Sequence, residues 1–202
     1  ADIYINDAFG TSHRKHASVY GVPSKMKLKG CGYLMEKEIN YLEKAINKPK
    51  RPFIAIIGGA KVSDKIKVIE NLLNKVDTLL IGGAMAYTFL AAKNIKTGKS
   101  LVETNKIEFA KTIFTKATQK KVQLKIPIDH IISKSTTDDT SFETTLSSEI
   151  PSDWIGVDIG PKTLSEYQSE IINAKTVLWN GPIGIFELDG FSKGTIGVAK
   201  AI

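Results

Sequence analysis

The sequence has only one cysteine, Cys31, so no disulfide can form within the chain. A lone cysteine fits a reducing compartment, and we therefore expect a cytoplasmic protein. Long apolar runs are also lacking. The longest, residues 78–92, is interrupted by Gly82-Gly83 and is too short to span a bilayer, so we expect no membrane association.

Several motifs that carry common chemistries are absent. Neither the phosphate-binding pattern GxxxxGK[ST] nor the dinucleotide-binding pattern GxGxxG occurs. No G-x-S-x-G turn is present, which leaves a hydrolase triad without support. The histidines show no metal-ligand spacing with the cysteine, so no residue is predicted to bind a metal ion.

The composition describes a globular and basic chain. Of the 202 residues, 42% are hydrophobic, which is enough for one sizeable core or for one domain with part of another. The net charge of +7 indicates either nucleic acid or small anions with phosphate or carboxylate groups as partners. No basic face interleaved with aromatic residues supports nucleic acid, so we expect small anions. The one short basic cluster, His13-Arg14-Lys15-His16, is by composition alone a solvated loop.

From residue 51 onward, apolar segments end in glycine and are followed by segments with helical spacing. This alternation predicts an α/β fold, in which helices cover both faces of a parallel sheet to give three layers. The predicted strands are 52–57, 78–81, 122–126, 129–133, 154–158 and 176–179, and the predicted helices are 64–76, 85–93, 105–117, 163–174 and 190–202.

The first 50 residues have a different organisation. Residues 1–9 are predicted to form a buried strand, residues 10–29 a loop region, and residues 31–47 a helix that connects two lobes. The sequence opens with Ala1-Asp2 directly before this strand, and not with Met, so we expect a fragment or a processed product. The sheet unit is predicted to run over 49–202.

The stretch Gly58–Lys65 is the first candidate for chemistry. Ligands of an open parallel sheet bind beyond the carboxyl ends of its strands, and glycines there allow the backbone to approach a ligand closely. A helix start offers free N–H groups to an anion, and Lys61 and Lys65 add two cations beside it. A phosphate site and a tight turn with two surface lysines both remain open.

Two further glycine turns follow later strands. Gly82-Gly83 either packs a helix closely on its strand or forms a flat wall for an aromatic base. Asn180–Glu187 is an extended loop in which Asn180 can donate to a phosphate and Glu187 can accept from a ribose hydroxyl; the alternative is a rigid turn. The similar stretch 156–161 is a weaker candidate.

These segments together resemble the phosphoglycerate kinase family. The stretches YINDAFGTSHRKHAS, GGAKVSDKI, LLIGGAMAYTFL and LWNGPIGIFE are similar to motifs of that family and occur in its order over essentially the whole chain. The resemblance implies a two-lobed, typically monomeric α/β transferase of glycolysis, which moves a phosphoryl group between ATP and 3-phosphoglycerate. It also implies Mg²⁺ bound with ATP or ADP on the C-terminal lobe, and the glycerate on the N-terminal lobe.

The resemblance assigns roles to individual residues. It implies that Lys61 is catalytic and follows the transferred phosphoryl group, and that Arg14, with His13 beside it, binds the substrate phosphate. Nucleotide binding is implied for Gly58, Gly59, Ala60, Lys61, Lys65, Gly82, Gly83, Gly156, Asn180, Gly181, Pro182 and Glu187. Residues 1–30 then correspond to a remnant of the substrate lobe, 31–48 to the inter-lobe helix, and 49–202 to an incomplete nucleotide-binding domain.

The family's other substrate-binding residues and its Mg²⁺-holding Asp have no counterpart in these 202 residues. We therefore expect the chain to be an inactive portion of a phosphoglycerate kinase. A non-catalytic fragment that binds nucleotide or dimerises is the alternative.

Overall fold

The computed structural model describes residues Ala1–Ile202, and the chain divides into two compact units, Ala1–Pro49 and Lys50–Ile202. None of the helices is both long enough and apolar enough to cross a membrane.

The first unit is built around a small parallel sheet. Its elements are β1 (Ile3–Asn6), a 3-10 turn (Phe9–Thr11), a π-helical turn (Ala17–Gly21), α1 (Val22–Lys25), β2 (Leu28–Cys31) and α2 (Tyr33–Asn47). No residue of this unit is fully buried, and its sheet has only two strands. The expectation of a buried strand over residues 1–9 was therefore wrong: the strand is shorter, and Ile3 and Ile5 are exposed.

The helix predicted from residue 31 begins later. Cys31 pairs with Asn6 as the last residue of β2, and Gly32 keeps an extended backbone before the helix starts at Tyr33. A carboxylate oxygen of Asp7 accepts the Met35 N–H at 2.8 Å, which satisfies one of the free amides at this helix start.

The second unit contains the larger part of the chain. Its elements are β3 (Phe53–Ile57), α3 (Ile66–Leu72), β4 (Thr78–Ile81), α4 (Met85–Ala92), a 3-10 turn (Thr104–Lys106), α5 (Ile107–Gln119), β5 (Gln123–Lys125), β6 (His130–Ser133), β7 (Glu143–Thr144), β8 (Ile155–Ile159), α6 (Pro161–Asn173), β9 (Thr176–Asn180), a 3-10 turn (Asp189–Phe191) and α7 (Lys193–Ala201).

The main sheet of this unit is parallel and has the strand order β5-β4-β3-β9. The central strand β3 is buried on both faces, because successive side chains point to opposite sides. Phe53, Ala55 and Ile57 pack with the apolar residues of α3, α4 and α5, whereas Ile54 and Ile56 pack with those of α6 and α7. The predicted three-layer α/β architecture is confirmed.

Not every predicted strand joins that sheet. β6, β7 and β8 form a separate antiparallel sheet, in which His130 lies opposite Ile159. The prediction of a single parallel sheet was wrong here, because short buried strands have the same apolar pattern in either orientation. Asp129, which precedes β6 and is fully buried, accepts N–H bonds from Lys162 and Thr163 and so caps α6.

Candidate ligand-binding cleft

Three strands of the main sheet end at one edge, and backbone hydrogen bonds hold together the turns that follow them. The Gly59 N–H donates to the Pro182 carbonyl at 2.9 Å, and the Gly83 N–H donates to the Ile183 carbonyl at 2.8 Å. The Met85 N–H donates to the Gly59 carbonyl at 3.1 Å. The ends of β3, β4 and β9 are thus fixed to one another through main-chain atoms alone.

This arrangement requires glycine at position 83. Gly83 has a φ of +67°, a conformation that L-residues with side chains adopt at a cost. A Cβ atom at this position would also lie 2.5 Å from the backbone N and O of Gly59. A side chain would therefore force the two turns apart.

A cleft of about 310 Å³ opens beside these turns. Backbone and apolar side chains form most of its wall, and one carboxylate and two hydroxyl-bearing side chains lie among them. The lining residues are Gly59, Ala60, Gly83, Ala84, Tyr87, Leu101, Thr136, Ile155, Gly156, Val157, Pro182, Gly184, Ile185 and Glu187. Mostly apolar clefts with a few polar groups are typical of small-molecule sites, and this one has room for a flat aromatic group.

The ring of Tyr87 forms part of the cleft beside Gly156. A Cβ atom at position 156 would lie 2.7 Å from Tyr87 Cε1, so the ring takes the space that a side chain would need. Burial raises the pKa of Tyr87, and the charge of Asp158 raises it further. The phenol is therefore neutral at physiological pH.

The two lysines of the first candidate segment have different surroundings. Lys61 is exposed and makes no hydrogen bond or ion pair, whereas the Lys65 ammonium donates to the side-chain oxygen of Asn180. Both lie before α3, which begins at Ile66, so the prediction of a helix from residue 64 was wrong. This turn is held instead by Glu103, whose carboxylate accepts the Ser63 hydroxyl at 2.7 Å and the Ser63 N–H at 3.1 Å.

Apart from Lys61, Lys65 and Asn180, the predicted nucleotide residues fall into two groups. Gly59, Ala60, Gly83, Gly156, Pro182 and Glu187 line the cleft. Gly58, Gly82 and Gly181 do not line it; they belong to the turns, where the Gly58 N–H donates to the Asn180 carbonyl at 2.9 Å and the Gly82 N–H to the Ile57 carbonyl at 2.9 Å. His13 and Arg14 lie in the first unit, where Arg14 Nε donates to His13 Nε2 at 3.3 Å.

Sequence reasoning missed several lining residues, among them Tyr87, Leu101 and Ile185. Tyr87 lies within the stretch that follows Gly82-Gly83. Because its neighbours there are mostly apolar, the sequence does not distinguish it from a residue of the hydrophobic core. Leu101 lies outside every helix and strand, and only the fold brings it to the cleft. The preceding residue helps to hold it there: Ser100 is buried, and its hydroxyl accepts the Gly156 N–H at 2.9 Å.

A buried carboxylate lies next to the cleft. Asp158, in β8, is 2% exposed and accepts hydrogen bonds from the backbone N–H groups of Gly194 and Ile159. Burial raises the pKa of Asp158 to about 7, although these two hydrogen bonds favour the ionised form. No group of three or more His, Cys, Asp or Glu side chains in the chain is arranged to hold a metal ion.

A sequence profile of the family described as phosphoglycerate kinase matches residues 1–202. The chain belongs to the phosphoglycerate kinase family. The phosphoglycerate kinase of Clostridium novyi (strain NT) is 52% identical over 202 residues, which are 100% of this chain and 51% of that protein. The phosphoglycerate kinase of Anaeromyxobacter sp. (strain Fw109-5) is 51% identical over 201 residues and is also covered to 51%.

Solved structures of phosphoglycerate kinases have the same fold. The enzyme from Coxiella burnetii superimposes with a TM-score of 0.91 at 40% identity, over 99% of this chain and 52% of the other. The enzyme from Pyrococcus horikoshii OT3 gives a TM-score of 0.86 at 31% identity, over 100% of this chain and 51% of the other. The chain spans about half the length of the curated relatives it matches.

Asp158 leads to a prediction about stability and pH. The native state keeps the proton of Asp158 up to about pH 7, whereas the unfolded state loses it near pH 3.8. The contribution of Asp158 to the free energy of unfolding should therefore fall as pH rises through this window, by at most about 1.4 kcal/mol per pH unit, and level off above pH 7. Asp158→Asn, which cannot titrate, should lack this trend in urea denaturation at pH 5 to 8.

At each pH, the free energy of unfolding of the Asp158→Asn variant must be subtracted from that of the wild type. Burial lowers the pKa of His130 to about 4 from its ordinary 6.5, which gives a trend of opposite sign in both proteins. The subtraction removes the contribution of His130, because it is the same in both proteins. A difference that stays constant from pH 5 to 8 would contradict the protonated state of Asp158.

Proposed function

We propose that residues 50–202 form the nucleotide-binding part of a phosphoglycerate kinase and that the cleft beside the glycine turns binds ATP or ADP. The observation that carries the proposal is the convergence of three strand ends on one cleft with backbone-rich, largely apolar walls. Open parallel sheets bind their ligands beyond the carboxyl ends of the strands. Family membership supplies the identity of the nucleotide and of the reaction.

In this proposal the base lies in the slot lined by Gly83, Ala84, Gly156 and Val157, where flat backbone surfaces and small side chains suit an aromatic ring. The ribose lies near Pro182 and Glu187. The phosphates extend past Gly59 and Ala60 toward the cations. Lys65 and Asn180, which bond to each other, exchange this mutual contact for contacts with phosphate oxygens.

Lys61 has the catalytic role in the proposal. Its ammonium has no partner in the chain, so it is free to follow the phosphoryl group as that group moves between ATP and 3-phosphoglycerate. Phosphoryl transfer depends mostly on positioning and on stabilisation of negative charge. A mobile cation stabilises that negative charge.

The remaining assignments rest on the family alone. We propose that Arg14 and His13 bind the phosphate of 3-phosphoglycerate, that residues 1–30 belong to the substrate lobe, and that residues 31–48 connect it to the nucleotide domain. We also propose a monomeric, cytoplasmic enzyme of glycolysis.

Mg²⁺ is part of the proposal as the ion that accompanies ATP or ADP. The residues present do not form a protein cage for it, since the chain offers no suitable group of ligands. Mg²⁺ commonly binds to nucleotide phosphates with few protein ligands, so it would be held mainly by the nucleotide.

A second candidate function is nucleotide binding without turnover. The chain spans about half the length of the curated relatives it matches. We expect these 202 residues, by themselves, to bind nucleotide and to show no phosphoryl transfer in an assay that couples ATP consumption to 3-phosphoglycerate. Positioning of two substrates contributes roughly 7–11 kcal/mol to such reactions, and it requires both lobes.

The first prediction of this proposal concerns ligand preference. In calorimetric titrations without Mg²⁺, the chain should bind ADP more tightly than 3-phosphoglycerate, because every residue that lines the cleft lies within Lys50–Ile202. Leu101→Asp, which places a carboxylate in the mostly apolar wall of the cleft, should weaken ADP binding about tenfold.

Leu146→Asp is the matched control. Leu146 is 88% exposed and does not line the cleft, whereas Leu101 is 49% exposed and does, so both variants should fold. Tighter binding of the glycerate, or equal effects of the two leucine variants, would contradict the assignment of the cleft.

The second prediction concerns Lys61. Because Lys61 is proposed to accompany the transferred phosphoryl group, Lys61→Ala should weaken ATP binding by about 1 kcal/mol, roughly fivefold, and leave ADP binding within twofold. Lys67→Ala removes an exposed lysine of α3 close by in sequence and should change neither affinity. Equal losses for ATP and ADP in the Lys61 variant would show that this lysine does not distinguish the terminal phosphate.

A further inference from the structure

A series of polar contacts joins the buried end of β8 to the start of α7. One carboxylate oxygen of Asp158 accepts the Gly194 N–H at 2.6 Å, and the other accepts the Ile159 N–H at 2.8 Å. Gly194 is the second residue of α7, whose free amides and dipole favour an acceptor at this end. Asp158 therefore fixes where α7 begins.

The next residue of α7 continues the series to the loop that follows β9. The Thr195 hydroxyl oxygen accepts the Ile183 N–H at 3.1 Å and the Gly184 N–H at 3.2 Å. Neither amide makes another hydrogen bond within the chain, and Ile183 is only 1% exposed. A single side-chain oxygen thus satisfies two amides of the loop.

Close packing makes this connection rigid. A Cβ atom at Gly184 would lie 2.5 Å from Asp158 Cγ, and one at Gly194 would lie 2.8 Å from the same carbon. The loop and the helix start therefore both lie against the carboxylate, and only glycine fits at either position.

The same loop forms one part of the cleft wall. Its Pro182 and Ile183 carbonyls bind the two glycine turns, and its Ile185 N–H donates to the Val157 carbonyl of β8 at 2.9 Å. Gly184 and Ile185 line the cleft together with Gly156 and Val157. The spacing of these walls consequently depends on where the loop is held.

We propose that Thr195 is a positioning residue, which holds residues 183–185 at the spacing that the nucleotide requires, and that Asp158 positions Thr195 by fixing the start of α7. Neither side chain lines the cleft, so each acts through the loop. The inference rests on the proposed nucleotide site and deepens it.

Three variants of the 202-residue chain test the proposal. Thr195→Val keeps the shape of the side chain and removes the acceptor, and Thr195→Ser keeps the acceptor. Thr163→Val removes a different threonine hydroxyl, which is fully buried, accepts the amides of Ile128 and Asp129 away from the cleft, and donates to the Asp129 carboxylate. In calorimetry at a temperature at which all variants are folded, Thr195→Val should bind ADP about tenfold more weakly than wild type. Thr195→Ser and Thr163→Val should stay within twofold.

Hydrogen exchange supplies a readout that does not depend on the nucleotide. Without ligand, the amides of Ile183 and Gly184 should exchange at least about tenfold faster in Thr195→Val and should stay protected in the other two variants. If Thr195→Val does not fold, Thr195→Ala removes the same hydroxyl and serves in its place.

The outcomes separate the two proposals. Wild-type affinity in the Thr195→Val variant would overturn the positioning role, whether or not the amides exchange faster. Equal losses in Thr195→Val and Thr163→Val would also overturn it, since they would reflect general destabilisation. Absence of ADP binding in the wild-type chain would overturn the nucleotide site itself.

Discussion

The hydrogen bonds that tie Gly59 and Gly83 to the backbone of residues 182–183 are the contacts on which the rest of the cleft depends. They join the ends of three strands without any side chain. They can form only because glycine occupies the positions at which a Cβ atom would clash with the neighbouring backbone. The mostly apolar slot lies beside them, and so do the lysines of the first turn. Substitutions with side chains at these glycines would therefore alter the binding surface and the fold together.

Polar contacts from the antiparallel sheet hold two helices of the same unit in place. Asp129 caps α6, and Asp158 fixes the start of α7, so two carboxylates that precede or lie within its strands set the positions of two helices. Burial of Asp158 favours its protonated form, whereas its contacts with two N–H groups favour the anion. This competition couples the stability of the unit to pH near neutrality.

The sequence allowed the parallel sheet and its glycine turns to be predicted because β3, β4 and β9 each combine a largely apolar run with a glycine directly after it. It did not allow the orientation of β6 and β8 to be predicted, since short buried strands have the same composition in both orientations. Leu101 was missed because it belongs to no motif, and only the tertiary structure brings it to the cleft. Ile185 lies within the candidate loop Asn180–Glu187, but its apolar side chain gave no sign of a role. The start of α3 was misplaced because Ser63 bonds to Glu103, a contact 40 residues away in sequence.

The central claim is that ADP binds in the cleft beside the glycine turns. Amide chemical-shift changes on titration of the isotopically labelled chain with ADP test it most directly. We expect the largest changes at Gly59, Gly83, Gly156 and Gly184, with smaller changes along residues 61–65. Changes that cluster instead around the pocket of residues 133–143, or around His13 and Arg14, would contradict it.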